Sequence, residues 1–141
     1  MREILFRGKD LQEQNGWIYG YFYKSDINKR ERESGKATLI FTPDCDTFIY
    51  VPEYHNSWMV KAETVGQYTG MTDKNGKKIF EGDIVKVGNA LVRGIFAVEY
   101  SGMGACFIIS CGESRYFLGG CNSEVIGNIY DNPELLTTVT G

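Results

Sequence analysis

Histidine is almost missing from this chain, with His55 alone among 141 residues. Proline is scarce, at three, and the four cysteines (Cys45, Cys106, Cys111 and Cys121) never form a Cys-x-x-Cys pair. Long apolar runs are absent too. The longest, Ala105–Ile109, is far too short to span a bilayer. The start, Met1-Arg2-Glu3-Ile4-Leu5-Phe6-Arg7, is too short and too charged for the apolar segment of a signal peptide. These absences point away from a membrane protein and from a secreted disulfide scaffold. They favour a cytoplasmic chain with reduced thiols.

The same shortages weigh against catalysis. A cysteine nucleophile needs a base, and His55 lies in the polar Tyr54-His55-Asn56 stretch, far in sequence from Cys106 and Cys111. Those two cysteines sit in an apolar run, where a free cysteine behaves as a small hydrophobe. Their five-residue step places them on opposite faces of a regular strand, which does not suit zinc. Gly102-Met103-Gly104 lacks the following lysine and helix of a phosphate loop. Glu63, and Glu81 and Asp83 around Gly82, are the carboxylates available for acid–base work, but Asp83 is placed to accept backbone N–H groups at a turn. No catalytic residue, no metal site and no cofactor is expected, and the chain reads as a non-enzyme.

What the chain does have is aromatic and glycine content: nine Tyr, eight Phe and 17 Gly. Aromatic residues suit a pleated surface and glycine suits the turns between strands. Hydrophobic residues at 43% and charged residues at 23% are ordinary globular values, and the length allows one domain or two very small ones. A net charge of −3 provides no general field for nucleic acid. Lys29, Arg30 and Arg32 alternate with Glu31 and Glu33, so that segment reads as a solvated charged loop.

Period-two patterning and short apolar runs dominate. Strands are expected at Glu3–Phe6, Trp17–Lys24, Ala37–Phe41, Thr47–Val51, Val65–Thr69, Asp83–Val87, Leu91–Tyr100, Ala105–Cys111, Arg115–Leu118 and Glu124–Tyr130. Turn residues separate them, as many short strands in a small barrel or sandwich require. The sharpest local signal is Asp73–Phe80, where Asn75-Gly76 suits a two-residue type I′ hairpin turn with both central residues at positive φ. Helix is expected only as short turns, at Asp131–Leu136, where Asn132 and Pro133 form a start signal, and at Lys61–Thr64. A boundary falls between a β-rich N-terminal part, 1–62, and a C-terminal part, 63–141.

Several segments, in order and from end to end, carry a resemblance. They are Arg2–Gly8, Gly16–Gly20, Glu63–Gly70 with its continuation Asp73–Val85, and Glu124–Leu136. Together they resemble the YopX family. The resemblance implies a phage or prophage protein in a bacterial host cell, mainly β, whose C-terminal part is an SH3-like small barrel preceded by a smaller β-rich part. Lys24–Met59 matches no family pattern and reads as a variable loop. The family supplies no catalytic residues to carry over.

Two surfaces stand out. Trp17, Tyr19, Tyr21 and Tyr23 form one stripe if Trp17–Lys24 is a strand, suited to a protein interface or to base stacking. Lys74, Lys77 and Lys78 cluster at the hairpin. The reading these support is a non-enzymatic, self-associating interaction module, a homo-oligomer with a further protein partner. A nucleic-acid-binding accessory role in phage DNA metabolism is the alternative, disfavoured because basic residues do not flank the aromatic stripe densely.

Overall fold

Alternating residues become strands nearly wherever the pattern is clear. The computed structural model describes residues 3–34, 44–88, 92–119 and 122–137, so the strand expected at Ala37–Phe41 lies outside the described residues. The protein is mainly β and divides into two units, Ile4–Gly66 and Gln67–Gly141 with Met1–Glu3. No helix among the described residues is long and apolar enough to cross a membrane.

In the first unit the strands are β1 (Phe6–Lys9), β2 (Trp17–Lys24), β3 (Thr47–Val51) and β4 (Asn56–Met59), joined antiparallel in the order β4-β3-β2-β1. The long β2 is divided between its neighbours. Trp17–Gly20 pairs with β1, and Tyr21–Lys24 pairs with β3. One face buries Ile18, Ile49, Val51 and Val60, with Phe6, Phe22, Trp58 and Val65 packed against them. Each such aliphatic side chain contributes about 1.5–3 kcal/mol through its burial. Gly20 is required where β2 passes from one partner to the other: a Cβ there would lie 2.1 Å from the Tyr50 carbonyl oxygen.

Three expectations change in this unit. The first strand begins at Phe6, not Glu3. The charged segment read as a loop is a helix, α1 (Ile27–Ser34). Its start is held locally: the Ser25 hydroxyl accepts the Ile27 N–H at 3.3 Å, and Arg30 pairs with Asp26 one turn away at 2.8 Å. Asn28 then donates to the Cys45 carbonyl at 2.9 Å, a tertiary tie no local pattern encodes. Within Lys24–Met59, β3 stands where the pattern places it, while β4 is not among the expected strands. The helical turn expected at Lys61–Thr64 is present as a 3-10 turn, Ala62–Thr64.

The second unit holds β5 (Gly66–Thr72), which begins one residue before it, and β6 (Lys78–Phe80), β7 (Asp83–Gly88), β8 (Arg93–Ser101), β9 (Cys106–Cys111), β10 (Ser114–Phe117), β11 (Ser123–Asn128) and α2 (Glu134–Thr137). β5 and β6 form the hairpin. The others form an antiparallel sheet in the order β10-β9-β8-β7-β11. Its core is Ile79, Val85, Val87, Phe96, Val98, Ile109 and Leu118. In β8, Phe96 and Val98 are core while Tyr100, near the strand's end, is exposed against Phe107.

The hairpin turn differs in type from the expectation. Only Gly76 has positive φ, at 82°, and Asn75 does not. Asp73 N–H donates to Lys77 O, and Gly76 N–H to Asp73 O. This is a three-residue loop, Lys74-Asn75-Gly76, with glycine in the left-handed position. The reason is Asp73. Its Oδ1 accepts the N–H groups of both Asn75 and Lys77 at 2.9 Å, and this holds the turn in a form that leaves Asn75 unstrained.

Candidate interaction surface

β2 presents its odd-numbered side chains on the face opposite the Ile18 core. Tyr19, Tyr21 and Tyr23 are 45%, 51% and 40% exposed, and Tyr50, opposite Tyr21 on β3, is 36% exposed. Tyr23 stacks on Phe48, with ring centroids 5.2 Å apart. At the other end of the strand, the buried Arg7 guanidinium lies over the Trp17 ring at 4.6 Å. That contact joins a cation to an aromatic face and fixes the indole's orientation. The result is a band of tyrosines, each with an apolar ring and a polar tip, on a rigid strand.

The stripe's first half also borders a cleft. Trp17 and Tyr19, with Asn15, Ile18, Val51, Tyr54 and Trp58, line a cavity of about 380 Å³. It opens where β3 stops pairing with β2, beyond Tyr50. Tyr54 and Trp58 meet edge to face, with centroids 5.8 Å apart. Neither residue belonged to the stripe read from the sequence. Period two along one strand cannot reveal side chains delivered by another strand, as Trp58 is by β4, or by a connection, as Tyr54 is by the turn after β3.

The three lysines are distributed differently. Lys74 pairs with Glu124 at 3.5 Å and Lys78 with Glu3 at 2.9 Å. The Glu3 hydrogen bond raises the Lys78 pKa above 10.5, with burial opposing and the charges of Glu3 and Tyr68 assisting. Lys78 also lies 5.6 Å from the Tyr68 ring. Two of the three positive charges therefore face carboxylates of the chain itself. The structure brings the lysines together at the hairpin and the aromatic stripe together on β2, each in its own unit.

The carboxylates near the hairpin support the backbone. Asp83 accepts the Phe80 N–H at 2.8 Å, the turn role its position suggests. Asp73 is buried, and burial pushes its carboxyl up. Hydrogen bonds from Val125, Lys77 and Asn75, with the Lys77 charge, outweigh burial and hold it below the usual aspartate value of 3.8. Cys45 donates weakly to the carbonyls of Thr47 and Val60. Among the described residues no group of three or more His, Cys, Asp or Glu side chains is arranged to hold a metal. Cys121 lies outside the described residues.

Comparison with known proteins agrees with this architecture. No curated protein matches the chain. Among solved structures, the crystal structure of protein EF1440 from Enterococcus faecalis is similar in fold, with a TM-score of 0.52. The two share 22% identity over 96% of this chain and 99% of that one. The family model described as YopX protein matches residues 5–137, nearly the whole length. That span takes in the β2 stripe, the hairpin and both sets of strands, and the chain belongs to the YopX family.

Proposed function

We propose that this protein is a non-enzymatic interaction module of a phage or prophage programme, one that self-associates and offers the tyrosine face of β2 to a protein partner. The observation that carries the reading is the exposure of Tyr19, Tyr21 and Tyr23 beside Tyr50 on one sheet face. Tyrosine is enriched in protein interfaces because it supplies a large contact area at little entropic cost. The phage setting follows from what family resemblance implies, and the cytoplasm of a bacterial host is its compartment in this reading.

Light scattering coupled to size-exclusion chromatography tests the self-association. A mass above that of one chain at micromolar concentration is expected, and a strict monomer removes that part of the proposal. The tyrosine face is tested with Tyr21→Ser and Tyr23→Ser. Hydrogen exchange in the presence of a purified partner should protect β2 and β3, and a partner bound equally well by both variants would remove the face from the account.

A further inference from the structure

The five-stranded sheet of the second unit treats its two edges differently. At the β11 edge, Lys74 N–H donates to Ser123 O at 2.9 Å, and the Asp73 carboxylate accepts the Val125 N–H at 2.9 Å. Outward main-chain groups of β11 are thus occupied by the hairpin. At the opposite edge, β10 pairs with β9 on one side and has no strand on the other among the described residues. All four of its residues are exposed, Phe117 to 83%. The edge is short and carries one charge, Arg115, but Ser114–Phe117 contains no proline, no lysine and no bulge to block a further strand.

We propose that β10 is where a second copy of this chain joins, its own β10 pairing antiparallel about a two-fold axis to continue the sheet. The inference rests on the self-association reading and adds the strand responsible. Alternation in the ladder selects the register. Leu118 N–H donates to Phe107 O, so the main-chain groups of even-numbered residues face β9. Those of Arg115 and Phe117 therefore face outward. Two identical antiparallel strands related by a two-fold axis must place one residue opposite itself. Centring on Arg115 sets two guanidinium groups face to face, which is unfavourable. Centring on Phe117 places Arg115 opposite a position beyond the end of the partner's strand, so only one residue of each β10 is paired across the axis. Centring on Tyr116 sets Arg115 opposite the partner's Phe117, and the reverse. Both outward pairs then form main-chain hydrogen bonds, and each guanidinium meets an aromatic ring. Arg115 is available for this, because its contact with Glu99 at 3.6 Å is an exposed one of little strength.

The test uses the full chain. Phe117→Lys, at a side chain that contributes little to folding, should halve the scattering mass. Tyr116→Cys supplies a second readout, since position 116 opposite its own copy is a non-hydrogen-bonded pair with Cα atoms about 4.5 Å apart, within disulfide reach. Mild oxidation should yield a covalent dimer whose cross-linked peptide maps to position 116. A wild-type monomer would overturn self-association and this inference with it. A wild-type dimer that survives Phe117→Lys and forms no cross-link at position 116 would overturn the β10 edge alone.

Discussion

The carboxylate of Asp73 accepts the main-chain N–H of Val125 at 2.9 Å, joining residues 52 positions apart. Its other oxygen holds the Asn75 and Lys77 N–H groups of the hairpin. One buried side chain thus shapes a turn and caps a sheet edge. The turn is local chemistry and the cap is tertiary, so the two functions of Asp73 become a single energetic unit.

Replacing Asp73 by Ala leaves three N–H groups without this acceptor. Losing a buried charge-assisted partner costs about 1–3 kcal/mol, and more where several donors are left behind. Urea unfolding should show a lower midpoint with an unchanged slope. A midpoint equal to wild type would mean that solvent replaces the carboxylate.

The same group sets an acid limit. Its folded pKa is depressed, so the stability it contributes is fully present above the unfolded value, near 3.8, and is lost as pH falls through the lower folded value. Wild type should lose stability in that acid window more steeply than Asp73→Asn, whose side chain does not titrate. Parallel curves for the two proteins would exclude Asp73 as the source.

Gly20→Ala should be strongly destabilising, because the new methyl meets the Tyr50 carbonyl oxygen at 2.1 Å and backbone must shift. Overpacking of this kind costs about 1–3 kcal/mol, occasionally more. Gly88→Ala is the control: nothing lies within 4 Å of its Cβ position, and a change within about 0.5 kcal/mol is expected. Thermal unfolding of the pair measures the contrast.

Nucleic-acid binding should be weak. Lys74 and Lys78 pair with Glu124 and Glu3, and the net charge is −3. Fluorescence anisotropy with single- and double-stranded DNA at low salt should show no saturable binding. Tight binding with a steep salt dependence would instead favour the accessory role in DNA metabolism.

Much of the β architecture was legible because alternation is a short-range property. β2 and β3 begin and end where the pattern places them, and β7 to β11 fall within a residue or two of theirs. α1 was hidden because its alternating charges read equally well as a loop. What stabilises it is the pairing of Asp26 with Arg30 and the bond from Asn28 to the Cys45 carbonyl. β4 was hidden for a related reason, since Asn56–Met59 is a strand through pairing with β3 and not through its own composition.

The hairpin at Asp73–Phe80 divides the two sources of information most clearly. Sequence by itself determined that the chain reverses there, because glycine adopts Gly76's positive φ without the cost a Cβ would bring. It also determined the aromatic stripe of β2, through the two-residue period of a strand. Tertiary structure decided the rest. It selected the three-residue loop through Asp73, sealed the β11 edge with the same carboxylate, and left the outer side of β10 without a neighbouring strand among the described residues. The physical reason is that a strand's side-chain pattern specifies its faces. Its edges are specified only by which other main-chain or carboxylate groups arrive to meet them.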